Sequence, residues 1–295
     1  MNIKKAAIWT AILLLLLFAI GRMIDSKIEQ GNWIDQNGRL SYPSRGSVKL
    51  TEDELEESAD YTKSKIAYDS KGTKVHALLF KPKKDNAPAV IIAPAANAPK
   101  EGQEDFAKYL ASRGYATLII DQRGIGETRW QPKSAQEEFD EFMQDKKETT
   151  EQLMVYDLLR AFDAMLETKG IDKNNIILEG ESMGGRFAMI AAAIEPRIKG
   201  AVIISSSGYG NAAGPAKEYL DTVNPDMYVH LISPRRMAMF HSPTDKVVPI
   251  QNALATFERA KEPKAMIEMP PPCNHGNCDE IHDRIAEELL KIQNS

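Results

Sequence analysis

Cysteine is scarce in this chain, with two among 295 residues. So small a number excludes a scaffold built on several disulfides and any metal site that needs four cysteines. A basic excess is also lacking, because 37 lysines and arginines stand against 42 aspartates and glutamates, a formal charge of −5. Nucleic-acid-binding proteins normally present a basic face, so we expect no nucleic-acid partner. The 43% of hydrophobic residues excludes a disordered chain and indicates a globular one.

Hydrophobic runs nearly long enough to cross a membrane are absent from the sequence, except for one near the amino terminus. Residues 6–21 are apolar apart from Thr10 and follow Lys4 and Lys5. As a helix they would measure about 24 Å, short of the ~30 Å hydrocarbon core, so both an uncleaved signal anchor and a cleaved signal peptide fit the segment. The anchor would attach the protein to a membrane through residues 6–21, with the remainder on the extracytoplasmic side. Cleavage would give a secreted or periplasmic protein.

Composition divides the chain into three parts. Residues 1–24 contain this leader, residues 25–60 are predicted to form a polar tether, and residues 61–295 form the globular domain. Within the tether, Thr51 and Glu54 have the spacing of a helix capping box and predict a small acidic helix.

Strand and helix patterns alternate through residues 61–295. Segments 65–68 and 74–80 alternate polar and apolar residues and predict an antiparallel hairpin. Six continuously apolar segments predict strands that are covered on both faces: 89–93, 116–120, 176–178, 201–204, 237–240 and 265–269. Helical patterns lie between them, at 104–113, 148–168, 184–194, 251–261 and 279–293. The sequence therefore predicts an α/β fold with a mostly parallel, doubly wound sheet and helices on both faces, preceded by one amino-terminal hydrophobic helix.

The most informative motif is Gly180-Glu181-Ser182-Met183-Gly184, which lies between an apolar strand and an alanine-rich helix. A serine at this position must turn sharply, and glycines on both sides relieve collisions with the neighbouring strand and helix. The arrangement directs the Ser182 hydroxyl out of the sheet, so Ser182 is the candidate nucleophile.

A serine nucleophile needs a base, and five histidines are available. His275 alone occupies a turn-rich loop between the last strand and the last helix, where sites of parallel sheets form. Asp245 directly follows the strand at 237–240 and is the best candidate for the acid that orients the base. Asp226 and Asp221 are weaker candidates because they lie in the polar sequence between the segments 201–204 and 237–240.

Residues 61–295 resemble the α/β-hydrolase superfamily. The segments that carry the resemblance are Asp121 to Glu127, the Ser182 motif, Ser242 to Pro249, and Asn274 to Gly276. The order of nucleophile, acid and histidine is also that of the family. The short segment between Ile204 and Met237 indicates a small cap or none, which is similar to the dienelactone-hydrolase and serine-aminopeptidase-like branches. Asp121 is expected to form a structural ion pair with Arg123.

The resemblance also implies an oxyanion hole built from two backbone N–H groups. Met183 is expected to supply one of them. The second should come from the loop after the strand at 89–93, where the sequence has Pro94-Ala95-Ala96-Asn97 instead of the usual His-Gly pair. Since proline has no N–H, Ala96 is the predicted donor.

Both cysteines flank the candidate base, in Cys273-Asn274-His275-Gly276-Asn277-Cys278. In an exported protein they can form a disulfide that closes this loop. Two alternatives are a zinc site made with His275 and His282, and a pair of free thiols. The zinc site would consume the base that Ser182 needs, so we expect no metal and no other cofactor.

Together these features predict a serine hydrolase that cleaves carboxylic esters through an acyl-enzyme intermediate, with a small-molecule ester or a short peptide as its substrate. One alternative is a peptidase or amidase with the same machinery. Another is a non-catalytic, membrane-tethered binding protein that kept the fold.

Overall fold

A computed structural model describes residues 33–295, so the predicted leader at 1–24 and the first part of the tether lie outside the described residues. Within 33–295 the chain forms nine strands and seven α-helices. The strands are β1 (Leu50–Glu57), β2 (Tyr61–Ser70), β3 (Thr73–Pro82), β4 (Ala87–Ala93), β5 (Ala116–Ile120), β6 (Ile171–Glu181), β7 (Gly200–Ile204), β8 (Arg236–His241) and β9 (Lys264–Glu268). The helices are α1 (Glu104–Ser112), α2 (Ala135–Asp145), α3 (Thr150–Glu167), α4 (Met183–Ile194), α5 (Lys217–Val223), α6 (Ile250–Arg259) and α7 (His282–Gln293).

All nine strands belong to one sheet, in the order β1-β2-β3-β5-β4-β6-β7-β8-β9. The pairs from β5 to β9 are parallel, whereas β1, β2 and β3 are antiparallel to their neighbours. The predicted hairpin and all six predicted strands are present, and the α/β-hydrolase fold is confirmed. The predicted burial is wrong for β9, an edge strand in which only Ile267 is buried.

Helices cover both faces of the sheet, as a doubly wound sheet requires. Side chains of α3, α4 and α6 fill the core on one face, and side chains of α1 and α7 fill the core on the other. Strands β4, β5 and β7 are buried at every position, which explains why their sequences are apolar without alternation. None of the helices within 33–295 has the length and apolar character needed to cross a membrane.

The predicted acidic helix at Thr51 is wrong, because residues 50–57 form the edge strand β1. Asp53 lies opposite Lys65 of β2 and Glu56 lies opposite Lys63, so cross-strand pairing offsets the repulsion among the acidic side chains. A short helix with no buried face would have gained no such partner. The exposed acidic side chains also protect this sheet edge from pairing with another chain.

The tether prediction is also wrong for residues 33–49, which lie against the domain. Trp33 and Leu40 are buried in the core, and the Leu40 N–H donates to the Tyr228 hydroxyl at 2.8 Å. Arg45 reaches into the fold and pairs with Asp163 at 2.8 Å and with Glu195 at 2.6 Å. The globular domain therefore includes residues well before 61.

Two helices were not predicted, α2 and α5. Phe142 of α2 is fully buried, and its ring lies 5.4 Å from the ring of Tyr219 in α5. A capping box between Ser134 and Glu137 begins α2, and that sequence signal could have identified it. Between β7 and β8 the chain forms α5 and two short 3₁₀ helices, in keeping with a small cap.

Candidate active site

Ser182 stands at the turn between β6 and α4. Its φ of 52° and ψ of −114° lie in a region that residues with a side chain rarely adopt. The Ser182 N–H donates to the Ile204 carbonyl at 2.8 Å, which fixes the turn to the end of β7. This backbone geometry presents the serine hydroxyl at the carboxyl edge of the sheet.

Two glycines allow the turn because neighbouring backbone approaches them closely. A Cβ placed on Gly184 would lie 2.1 Å from the Ala93 carbonyl oxygen, and one on Gly180 would lie 2.7 Å from the Ala188 Cβ. Side chains at either position would push α4 away from the sheet. The spacing of glycines in the motif is therefore a packing requirement of the turn.

His275 and Asp245 meet Ser182 at this edge. His275 Nε2 lies 3.0 Å from Ser182 Oγ, and His275 Nδ1 lies 2.8 Å from Asp245 Oδ2. The three side chains form one hydrogen-bonded chain, with His275 in the middle and partly exposed. Asp226 and Asp221 are not part of it: Asp226 accepts from the Gly210 N–H, and Asp221 pairs with Lys217.

Asp245 is fully buried yet well supplied with hydrogen-bond donors. The backbone N–H groups of Val247 and Val248 donate to Asp245 Oδ1 at 2.8 and 2.9 Å. Burial by itself would raise the pKa of Asp245, but the hydrogen bonds from His275 and from these two N–H groups outweigh burial and lower it. The aspartate therefore stays ionised and can orient the imidazole and balance its charge.

A second histidine, His241, lies close to Asp245 and was not singled out from the sequence. Its Nε2 is 3.6 Å from Asp245 Oδ2, but it bonds the Val248 carbonyl oxygen at 2.8 Å. Its position at the end of β8, four residues before Asp245, is the signal that could have identified it. The ring is almost fully buried, so it supports the acid loop and has no access to a substrate.

The loop of His275 is closed by a disulfide between Cys273 and Cys278. The Gly276 N–H in this loop also donates to Ser205 Oγ at 3.0 Å. Because both sulfurs are bonded to each other, they are not available as thiolates for the zinc alternative. His282, the fourth residue of that alternative, packs instead against Phe106, with ring centroids 4.5 Å apart and the ring planes tilted by 33°.

The predicted oxyanion donors lie on the two segments that border Ser182. Met183 is the first residue of α4, and Ala96 lies in the turn after β4. Among the described residues neither N–H has a hydrogen-bond partner, and the same holds for Ala95. Backbone donors are thus free at both positions, and the assignment of Ala96 stays a prediction.

The expected ion pair between Asp121 and Arg123 is wrong. Asp121 pairs with the buried Lys100 at 2.7 Å, whereas Arg123 pairs with Asp157 on α3 at 2.7 Å. Both pairs are buried, and they fix the turn after β5. The short spacing in sequence had suggested a local pair, but each side chain points to a different neighbour.

A cavity of about 300 Å³ adjoins the acid loop. Arg186, one helical turn after Ser182, forms one wall, and Val248 forms another. A larger cavity of about 610 Å³ is lined by Pro88 and Tyr115, which lie at the amino ends of β4 and β5 and thus at the opposite edge of the sheet. Of these two cavities, the smaller lies at the sheet edge that carries Ser182, and its lining includes the loop after Asp245.

Comparison with known proteins agrees with this architecture. A family model for the α/β-hydrolase fold matches residues 88–232. The uncharacterized protein YfhR of Escherichia coli O157:H7 is 24% identical over 195 residues, which span 63% of each chain. The polyketide transferase grgF of a Penicillium species is 28% identical over 135 residues, or 45% of this chain and 41% of that protein. Among solved structures, an acetyl xylan esterase from Paenibacillus sp. R4 superposes with a TM-score of 0.70 at 18% identity, covering 83% of this chain and 89% of that one.

Proposed function

Because the chain belongs to the α/β-hydrolase superfamily, we propose that it is a serine hydrolase that cleaves carboxylic esters through an acyl-enzyme intermediate. The observation that carries the proposal is the hydrogen-bonded chain from Ser182 through His275 to Asp245 on a strained turn. A buried aspartate, a histidine and a partly exposed serine in this order make an otherwise weak nucleophile reactive.

In the proposed first step, Ser182 Oγ attacks the carbonyl carbon of the ester while His275 Nε2 takes the hydroxyl proton. Asp245 holds the proton on Nδ1 and stabilises the charged imidazole. The Met183 N–H and the predicted Ala96 N–H would stabilise the negative charge on the oxygen. His275 then gives its proton to the departing alkoxide, and the alcohol leaves.

In the second step a water molecule attacks the acyl-enzyme, and His275 takes one of its protons. The bond to Ser182 Oγ breaks, the oxygen regains its proton from His275, and the carboxylic acid departs. Serine, histidine and aspartate supply the nucleophile, the base and the balancing charge, so the proposed reaction requires no metal or organic cofactor.

Ester substrates are favoured by the solved structure that carries the name acetyl xylan esterase. The small cavity beside the acid loop suits a short acyl or alcohol group. An amide would require the same three residues, and a transferase would pass the acyl group to a nucleophile other than water. Product analysis with matched ester and amide substrates distinguishes these reactions.

The direct test is hydrolysis of p-nitrophenyl acetate by the full chain and by two variants. Ser182→Ala should abolish hydrolysis, whereas Ser112→Ala, at an exposed serine of α1, should retain it. Equal activity of Ser182→Ala and the unsubstituted protein would contradict the proposal.

We further propose that the catalytic domain is exported, either tethered to a membrane through residues 6–21 or released by cleavage. The disulfide in the loop of His275 supports this location, since disulfides persist in oxidising compartments. Cell fractionation should recover the domain with the membranes if it is tethered, and in the medium or the periplasmic extract if the leader is cleaved. Recovery in the cytoplasmic fraction alone would contradict the proposed location.

A further inference from the structure

Glu181, the residue directly before Ser182, extends its carboxylate toward the loop of His275. A Cβ placed on Gly276 would lie 2.2 Å from Glu181 Oε1, so the bare Cα of this glycine packs directly over the carboxylate. Gly276 also has a φ of 86°, which a glycine adopts without strain. Gly276, which follows the candidate base, therefore fits closely against Glu181, which precedes the candidate nucleophile.

A hydrogen bond holds the Glu181 carboxylate in place. Gln103 Nε2 donates to Glu181 Oε2 at 2.6 Å, and the backbone N–H of Asn277 lies close to the same carboxylate. Asn277 Nδ2 in turn donates to Gln103 Oε1 at 3.2 Å. These contacts close a ring that joins the end of β6, the start of α1 and the loop of His275.

From this ring we infer that Glu181 is a positioning residue for the base: its carboxylate holds the loop of His275 against the nucleophile's strand, and its negative charge stabilises the protonated imidazole. The inference rests on the proposed function, since it concerns the same histidine. The disulfide closes the loop on itself, but Glu181 and Ser205 are the groups that attach it to the sheet.

The charge of the base is one of those that act on Glu181. Burial raises the pKa of Glu181 above its ordinary value, and the Asn277 N–H, a charged His275 and Gln103 offset only part of this rise. A favourable interaction between two charges is reciprocal, so an ionised Glu181 also favours the protonated state of His275 that forms during the reaction.

A second carboxyl group on β6, that of Glu179, differs from Glu181 in its surroundings and serves as a comparison. Glu179 is fully buried, two residues before Glu181 and therefore on the same face of β6. Burial, and then the charge of Glu181, raise the pKa of Glu179 well above its ordinary value, and its Oε1 has no hydrogen-bond partner among the described residues. Burial thus favours the neutral form of Glu179, and this makes Glu179→Gln the matched control for the loss of charge at Glu181.

The test compares Glu181→Gln with Glu179→Gln, each an isosteric change on the same strand. Glu181→Gln should lower kcat roughly 10- to 100-fold, because a small displacement of the base is costly, and should move the acid limb of the kcat/KM profile to lower pH. Glu179→Gln should leave that limb where it is. Unchanged kcat and an unchanged acid limb in Glu181→Gln would overturn the inference.

Two more variants separate position from charge and cover the case in which Glu181→Gln does not fold. Glu181→Asp keeps the charge but shortens the side chain, and Gln103→Ala removes one donor from the ring. Both should lower kcat while the acid limb stays in place. If kcat is unchanged in both variants, the positioning role is contradicted.

A readout that needs no catalysis keeps this inference distinct from the proposed function. In the Ser182→Ala background, the NMR resonances of the His275 imidazole at one fixed pH should move after Glu181→Gln and stay in place after Glu179→Gln. Identical His275 resonances in all three proteins would overturn the inference, even if the unsubstituted protein hydrolyses esters. Resonances that move after Glu181→Gln alone would support the interaction, even if esters prove to be the wrong substrates.

Discussion

His275 Nε2 lies 3.0 Å from Ser182 Oγ, although 93 residues separate the two in the chain. The contact depends on the sheet, because β6 ends directly before Ser182 and the loop after β9 carries His275. Three parallel pairings separate these two strands, from β6 through β7 and β8 to β9. The contact between Ser182 and His275 thus depends on the pairing of the four strands from β6 to β9.

Removing the charge of the acid should cost most of the activity without unfolding the protein. We expect Asp245→Asn to lower kcat about 1,000- to 10,000-fold, since an amide cannot hold the required proton on His275 Nδ1 or balance its charge. Asp221→Asn, which removes a carboxylate that pairs with Lys217, should retain activity. Steady-state kinetics with p-nitrophenyl acetate measures both, and near-normal kcat in Asp245→Asn would contradict the assigned role.

Adding one methyl group at the turn should destabilise the fold. Gly184→Ala places a Cβ 2.1 Å from the Ala93 carbonyl oxygen, a backbone atom that cannot move without shifting β4. The expected loss is about 1–3 kcal/mol in the free energy of unfolding, together with most of the activity. Gly102→Ala is the matched control, because a Cβ there meets no atom within 4 Å. Urea denaturation compares the free energies of unfolding of the two variants. Equal values would contradict the prediction, because they would show that the turn accommodates the added methyl group.

Reduction of the disulfide should impair the base. In the double variant Cys273→Ser/Cys278→Ser, the loop loses its covalent closure, and we expect kcat to fall roughly 10-fold as His275 samples other positions. Dithiothreitol should reduce the activity of the unsubstituted protein to a similar level and leave the double variant unaffected. Full activity of the reduced protein would contradict this prediction, because it would show that the other contacts of the loop hold His275 in position without the disulfide.

The amino-terminal segment should contribute to stability through Arg45. Its side chain is 8% exposed and pairs with Asp163 and Glu195, so Arg45→Met leaves Asp163 with Arg160 and Glu195 with Arg197 as remaining partners. The expected loss is about 1–3 kcal/mol, the range for removing hydrogen bonds to charged groups. Arg284→Met, which removes an exposed pair with Glu287, should change the free energy of unfolding little.

The same ion pair predicts how stability depends on pH. Burial alone would raise the pKa of Glu195, but hydrogen bonds from Arg197 and Arg45 outweigh it and lower the pKa to about 2, from an ordinary value of 4.5. Since the folded pKa lies below the unfolded one, this stabilisation is complete above about pH 5 and is lost as the pH falls toward 2. Urea titrations between pH 6 and about pH 3 should show a shallower decline in Arg45→Met than in the unsubstituted protein. Parallel declines would contradict this attribution.

Local patterns were sufficient to predict the elements of the site. The serine motif combines a strand, a turn and a helix within a few residues, so Ser182 could be identified without knowledge of the fold. Asp245 and His275 followed from their positions after strands, because the carboxyl ends of parallel strands meet at one edge. The structure brings these three side chains together as that rule requires.

Features that depend on distant partners could not be predicted in the same way. The acidic segment of β1 has a helix-like capping signal, and only its pairing with Lys63 and Lys65 makes it a strand. In the sequence, Arg45 lies in a polar segment that resembles a linker. Its partner Asp163 belongs to α3 and comes close to it only in the folded domain. The ring of Glu181, Gln103 and Asn277 joins three segments far apart in the chain, and none of the three residues has a local signal.

The central claim is that Ser182 is the nucleophile, and peptide mapping after fluorophosphonate treatment tests it most directly. The intact protein should acquire a single adduct, and mass spectrometry of its peptides should locate that adduct on Ser182. Labelling should be lost in Ser182→Ala and greatly slowed in the variant without its base, His275→Ala. An adduct on another residue, or undiminished labelling of Ser182→Ala, would contradict the account.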